Sequence, residues 1–572
     1  MSKIKPHRAF ATEKFDRFRG LGQSLLATDR LATDMENFRI SSDGTLKKRT
    51  GWRTHRYFPG TVRAFWEGTV SQTHWIFAVC LSTVYRIDPL MGTSNPVAEL
   101  STSSGRLEFF CFEDTLYLND GNGLLYYNSN SGQFSPITPY VPLYGKNWDP
   151  LSPGAPNEDF NLLTNRVRIS YVNSGLQSIF KFPFYVKSID SLLVDGKVVT
   201  DYFFTSGNNY FSLPAERIGY TVEVAVETML NRDAKGIDST KRAVVYDGRH
   251  HSTLCLYGGG YSYEIYCSRY VSKGSISAAQ AHYLKVLPLY FTSENVQRIG
   301  DRAFPITSLC PYNNRLLAFT AHSTWEIQCP NDSSNDVSVS LLYPEMGCTA
   351  PYGVTICNSK PVFVNHEGIF MMTVPRSENE RPTVTRISDG ISDLFNLGIA
   401  EGCVMRAEPL FHELWIRDPN TSHDRVLVYN YQLGEWYVFT NIKASYFIDL
   451  PNFKGFVNNN LVLIFDNTVY TDNFEAITAS YLSGYFDFSR PELKKRSLRV
   501  TLCKNTPNTA SELTLETEHA AKSFEIDSNE ADKPDIFDAR ALMGRFRHLR
   551  FRIRTSGISD CRIYSLIFHA NL

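Results

Sequence analysis

Nine cations near the C-terminus are the residues whose spacing could do most: Lys494, Lys495, Arg496 and Arg499, then Arg545, Arg547, Arg550, Arg552 and Arg554. In a strand, Arg550, Arg552 and Arg554 project from one face while Leu549, Phe551 and Ile553 face the other way into a core. Three guanidinium groups in a row repel one another unless carboxylates or phosphates lie opposite. Three readings therefore stay open: an ion-paired interface between subunits, a solvated face, or a channel surface beside nucleic-acid phosphates. The last would give a salt-dependent, sequence-independent attraction.

Other candidate chemistry is weaker. Carboxylate pairs such as Asp389 with Asp393, or Asp190 with Asp195, could serve glycoside hydrolysis only if the fold held them about 5 to 10 Å apart; their default reading is solvated turn acids. The pairs His366-Glu367 and His412-Glu413 invite a zinc-protease reading, but that motif needs a second histidine four residues on, so that both imidazoles share one helix face. The positions are Phe370 and Ile416. Ser41-Ser42-Asp43-Gly44 resembles part of an Asp box but lacks the residue between Asp and Gly, and a plain turn explains it. Gly258-Gly259-Gly260 lacks the strand-to-helix setting of a phosphate cradle and also reads as a turn. No catalytic, cofactor-binding or metal-binding residue is assigned.

The elements that must carry these residues are strands. Phe (38) and Tyr (31) are abundant and Val, Ile and Thr are plentiful, the side chains that suit a pleated, half-buried surface. Lys plus Arg (58) nearly equal Asp plus Glu (59), so any attraction to nucleic acid or membrane must come from a local patch. Eleven scattered cysteines without a Cys-x-x-Cys pair predict reduced, mostly buried thiols made in a cytoplasm. Met1 to Phe10 has no apolar stretch of the secretory kind, and no run of about 18 apolar residues predicts a membrane span.

A hairpin unit recurs: a short apolar strand, a polar turn, then a strand containing an aromatic. It reads as His74–Val79 with Thr83–Ile87, Thr115–Leu118 with Leu124–Tyr127, Arg315–Phe319 with Thr324–Ile327, Pro361–Val364 with Gly368–Met371, Glu413–Ile416 with Val426–Tyr429, and Leu461–Ile464 with Thr468–Tyr470. Hairpins repeating at roughly 40 residues or more predict an all-β chain built on a β-propeller of about six blades, or seven. A β-sandwich or an irregular β assembly is the alternative. The predicted divisions are residues 1–155 as the first part of the propeller, 156–232 as an inserted small β domain, 233–480 as the rest of the propeller and 481–572 as an antiparallel C-terminal sheet region. Pro142 to Pro156 reads as a linker, Asp195-Gly196 as a type I′ hairpin turn, and only Thr28–Asn37 and Ser275–Tyr283 as possible helix.

Several stretches, in order, resemble the packaged-DNA stabilisation or tail nozzle proteins of short-tailed phages (tail tubular protein B-like). They are Phe18–Ser24 through Thr33–Phe38, Ser42–Gly51, Asn314–Phe319 with Ser323–Ile327, Gly347–Ala350 before Val362–Val364, His412–Ile416 with Val426–Tyr429 and Glu435-Trp436, and the closing Cys561–Tyr564. The resemblance spans most of the chain except about Phe160 to Leu230, and its force lies in the order of the stretches. It implies a non-enzymatic virion protein without cofactors, six copies in a ring around the DNA exit channel, retaining the packaged genome until ejection. The implied partners are sister copies, a portal-proximal adaptor, a tail needle or tip, tail fibres, and passing DNA without sequence specificity; no membrane contact is implied. The rival reading is a propeller glycosidase or carbohydrate-binding protein acting on host surface sugar.

Overall fold

The computed structural model describes residues 10–22, 30–88, 93–230, 236–247, 252–271, 287–300, 302–312, 315–328, 337–373, 381–395, 397–419, 424–449, 454–465, 474–507, 509–527, 534–539 and 544–571. The chain is all-β and of the β-propeller class: among the described residues seven sets of four antiparallel strands follow blade order, six as separate sheets and one within a nine-stranded sheet. It divides into two compact units, residues 63–346 and residues 1–62 with 347–572.

The first unit carries four of these sheets. Thr73–Cys80 and Thr83–Ile87 are the middle strands of the first, and Thr115–Asn119 and Leu124–Asn128 of the second. Ser252–Tyr257 with Glu264–Cys267 forms the centre of the third, and Arg315–Phe319 with Thr324–Gln328 that of the fourth. Inner strands such as Phe77-Ala78-Val79 and Leu316–Phe319 are buried on both faces, which is why they read as continuous apolar runs. Tight turns set the twist: Ser71-Gln72 and Glu113-Asp114 hold both residues at positive φ, the type I′ geometry that matches twisted strands.

The second unit contains three more. One is centred on Lys360–Asn365 and Gly368–Met372, and one on Glu413–Arg417 and Val426–Asn430. In the last, Tyr446–Asp449, Lys454–Asn458 and Leu461–Phe465 are completed by the N-terminal strand Arg53–Tyr57, so positions some 400 residues apart share one sheet. The hairpin read at Leu461–Ile464 therefore pairs backward to Lys454–Asn458, while Thr468–Tyr470 lies outside the described residues. The third sheet of the first unit matches none of the six hairpins read from sequence; its middle strands are joined through Gly258-Gly259-Gly260.

Between the second and third sheets of the first unit, Leu143–Trp148, Arg166–Val172, Thr221–Thr228, Val186–Val194 and Lys197–Val198 form a five-stranded sheet. Ile179–Lys181 pairs with Tyr210–Ser212 beside it. This sheet begins inside the stretch read as a linker, because Leu143–Trp148 pairs in parallel with Arg166–Val172. Its core of Val167, Ile169, Tyr171, Val222, Phe180 and Phe211 is its own. Asp195 and Gly196, both at positive φ, make its expected hairpin turn.

The C-terminal strands build a two-sheet sandwich. A nine-stranded sheet runs from Val404–Glu408 through Glu435–Phe439, Ala32–Glu36, Ile477–Ser483 and Leu549–Gly557 to Ala510–Thr517 and Ala521–Ile526. A seven-stranded sheet is organised by Lys495–Asn505 and Arg562–Asn571. The inner faces meet at Phe551 and Phe568, whose rings lie 5.4 Å apart, with Phe15 edge-on to both. Four N-terminal strands, Phe10–Phe15, Ala32–Glu36, Phe38–Ile40 and Leu46–Lys48, join these two sheets, so residues before Arg53 are not blade sequence as expected. Ala32–Glu36 also overturns the helix reading of Thr28–Asn37: Ala32 and Met35 are fully buried and the segment pairs with Ile477–Ser483, so tertiary pairing wins over local preference. Ser275–Tyr283 lies outside the described residues, and a short helix forms instead at Leu397–Gly402.

Candidate functional site: the arginine row and its acidic flank

Strand Leu549–Gly557 alternates as its sequence demands. Leu549, Phe551, Ile553 and Thr555 are fully buried, and Arg550, Arg552 and Arg554 occupy the outer face. Directly opposite residues of antiparallel strands point the same way. On one side Glu516, Thr514 and Glu512 stand against Arg550, Arg552 and Arg554. On the other, Leu482 and Ser480 oppose Arg552 and Arg554, and one strand further Asp34 and Glu36 oppose Leu482 and Ser480. The arginines thus run between two columns of carboxylates supplied by the same chain.

Arg550 is the best held. Its Nε donates to Glu516 Oε2 at 2.7 Å, its Nη2 lies 2.6 Å from the same oxygen, and its guanidinium sits 4.7 Å from the Tyr485 ring centroid. Arg552 Nε is buried without a hydrogen-bond partner. Burial raises the Asp34 carboxyl above its ordinary range, with Arg552 pulling the other way. Glu36 is raised by burial and by Asp34, against Arg554 and Arg552.

The nine sequence-selected cations do not form one surface. Arg550, Arg552 and Arg554 lie on the outer face of the nine-stranded sheet. Arg496 and Arg499 are exposed on the seven-stranded sheet, whose apolar residues Leu498, Val500 and Leu502 pack on the shared core, so its outer face looks the opposite way. Arg496 stands directly across from exposed Arg545, a like-charge pair, and Arg499 across from Asp538. Lys494 and Arg547 are exposed. Lys495 is structural: its buried ammonium donates to Arg490 O at 2.5 Å and Arg547 O at 2.9 Å, and burial lowers its pKa.

Asp34 and Glu36 also line a cleft of 440 Å³ with Leu21, Thr33, Asp393 and Arg425. Arg425 is engaged by Asp418, Nε to Oδ2 at 2.6 Å. Asp389, the sequence partner of Asp393, does not line this cleft and pairs with Arg386 at 3.2 Å. Asp190 is bound by Arg166 at 3.1 Å, while Asp195 caps its hairpin by accepting from the Thr221 and Tyr220 amides. Asp43 accepts from the Thr45 amide and hydroxyl, a side-chain-closed turn. Glu367 lies in the turn after Asn365, its amide donating to Asn365 Oδ1.

Glu413 is fully buried and accepts from Arg39 Nε at 2.7 Å, Trp415 Nε1 at 2.8 Å and the Tyr437 hydroxyl at 2.6 Å; the Arg39 guanidinium lies 4.0 Å from the Phe411 ring centroid. Its neighbour His412 is the left-handed residue that opens the strand. Sequence reasoning missed Asp34, Glu36 and the Glu413 knot. For the first two the signal was present as period-two alternation around Met35; nothing local marks the third.

No protein-family model matches the chain, and no curated protein matches it. Among solved structures it is similar to a chain of the mitotic checkpoint complex, with 10% identity and TM-score 0.35 over 72% of this chain and 96% of that one. It is also similar to the WD40 domain of SCAP from fission yeast, with 8% identity and TM-score 0.30 over 76% and 99%, and to the AfRom2 CNH domain, with 7% identity and TM-score 0.34 over 73% and 99%.

Proposed function

We propose that the chain is a structural virion protein, the nozzle subunit of a short-tailed phage tail, assembling as a ring of six around the DNA exit channel and holding the genome until ejection. The order of sequence stretches described above suggests it. The observation that carries it is where apolar surface is left uncovered: ten of the twenty exposed large apolar side chains among the described residues lie between Leu151 and Leu230, including Tyr185, Phe203, Tyr210 and Tyr220. Exposed apolar side chains concentrated in one part of the chain suit contact with another protein. On this reading the stretch meets sister copies, the portal-proximal adaptor, the needle or tip, or fibres. The acid-flanked arginine row suits a wall that does not hold passing DNA, since Arg550 is paired with Glu516 and carboxylates of the same chain flank the rest of the row.

Native mass spectrometry and electron microscopy of the purified chain, alone and with portal and adaptor proteins, test this. The expected result is a closed ring that loses subunits when Phe203 and Tyr210 are both changed to Ser. A chain that stays monomeric under all these conditions sinks the reading.

A second reading, a propeller glycosidase acting on host surface sugar, draws on the cleft. Asp34 and Glu36 are held toward their protonated forms beside Asp393, the environment from which general acids come. Hydrolysis of host polysaccharide that disappears in both Asp34→Asn and Glu36→Gln would favour it over the nozzle.

A further inference from the structure

We propose that Cys255 and Cys267 are an oxidisable pair that closes into a disulfide when the folded chain meets a peroxide outside a reducing cytoplasm. They occupy Ser252–Tyr257 and Glu264–Cys267, the two middle strands of one four-stranded sheet, and stand directly opposite one another. Ser268 N–H donates to Leu254 O at 2.9 Å, marking Leu254 and Ser268 as a hydrogen-bonded pair. By antiparallel alternation Cys255 and Cys267 are then a non-hydrogen-bonded pair, the kind whose Cα atoms approach to about 4.5 Å. That separation falls inside the disulfide range of about 4.4–6.8 Å. The two Sγ atoms already lie 3.5 Å apart. Both side chains are buried, with Ile265, Ile299, Leu309 and Leu316, in the layer facing the next sheet.

The step balances with hydrogen peroxide, a small neutral oxidant suited to a buried site. One cysteine sulfur, as thiolate, attacks a peroxide oxygen; the O–O bond breaks, giving a sulfenic acid and a hydroxide that takes up the thiol proton as water. The second sulfur attacks the sulfenic sulfur, the S–S bond forms, the S–O bond breaks, and a second water leaves. Two thiols lose two electrons and the peroxide becomes two waters. Burial makes the reaction wait on transient opening of the sheet.

The loop that closes contains Gly258-Gly259-Gly260, three residues of high freedom in the unfolded chain that a cross-link restricts. The bond would set a lock on this sheet that the cytoplasm keeps open. The pairing stands on strand register and sulfur separation and does not depend on the virion reading.

The full chain, treated with hydrogen peroxide, is denatured, alkylated and mapped by peptide mass. The expected product joins the Cys255 and Cys267 peptides until reduction, with alkylation of both falling about tenfold. Its Tm should exceed that of the reduced protein, and the gain should vanish in Cys255→Ala and in Cys267→Ala. Each variant is compared with its own reduced form, so a lower starting stability does not blur the result. Both thiols staying alkylatable, either reaching sulfinic acid unjoined, either bonding another cysteine, or an unchanged Tm on joining would each overturn the proposal.

Discussion

Two encounters of arginine with carboxylate, at Glu413 and at Arg550 of the nine-stranded sheet, differ in almost everything but chemistry. At Glu413 the charge is buried and closed: Arg39, Trp415 and Tyr437 all point at one carboxylate with 0% exposure. At Arg550 the partners are about a quarter exposed, and the row continues to Arg552 and Arg554 with acids on both sides. A buried pair is strongly coupled because desolvation has been spent on both charges and neither can be lost alone. A half-exposed pair shares its field with water and contributes little. The lesson is that a run of charge visible in sequence predicts less about stability than one acid whose burial sequence hides.

Breaking the buried encounter should have the largest effect. Glu413→Ala takes from buried Arg39 its Glu413 carboxylate, at a cost of about 3–5 kcal/mol, read from urea unfolding of the purified chain. A loss below about 1 kcal/mol would mean that water or a rearranged side chain reaches Arg39 and that the contrast is false. The exposed encounter should yield far less. A double-mutant cycle with Arg550→Ala and Glu516→Ala is expected to give a coupling of about 0.2–1 kcal/mol, shrinking as salt rises. A coupling as large as that at Glu413 would erase the distinction. DNA adhesion sharpens it from another side. Arg496→Ser with Arg545→Ser, which removes the cross-strand pair without an acid opposite, should lower any weak salt-dependent DNA retention more than Arg550→Ser with Arg554→Ser does; the reverse order would show that the row's own carboxylates fail to neutralise it.

How far the fold was legible follows from the same contrast between local and distant causes. Hairpins announce themselves locally, so His74–Val79 with Thr83–Ile87 or Glu413–Ile416 with Val426–Tyr429 could be read directly, and they are adjacent strands in the structure. The sheet centred on Ser252–Tyr257 went unread because three glycines open the connection between its middle strands and the second of them, Glu264–Cys267, is only four residues long. The entry of Phe10–Phe15 into a sheet with Arg562–Asn571 rests on a partner more than 550 residues away, which no window contains. The arginine row was legible as an alternating strand. Its neutralisation was not, because Asp34 and Glu36 reach it only through the tertiary pairing of Ala32–Glu36. Cross-strand register, not composition, decides whether such a row attracts a polyanion.

The smallest expected effect tests that register most finely. The folded Asp34 pKa is raised above its ordinary 3.8, burial outweighing the attraction of Arg552. A carboxyl raised in the fold favours folding fully while it is protonated, below its unfolded pKa, and that contribution is lost as pH climbs through the folded pKa. Asp34→Asn stays neutral throughout. The variant and the natural chain should therefore match near pH 3.5, with the variant gaining steadily to an advantage of about 0.5 kcal/mol or less by pH 7, because the site is partly open to solvent. Thermal unfolding across that range reads the trend. A variant that is instead less stable at pH 7 would mean that Arg552, left with a buried and unpartnered Nε, leans on Asp34 more than burial penalises it; the acidic flank would then be a true counterpart of the knot at Glu413, a charge the sheet cannot give up.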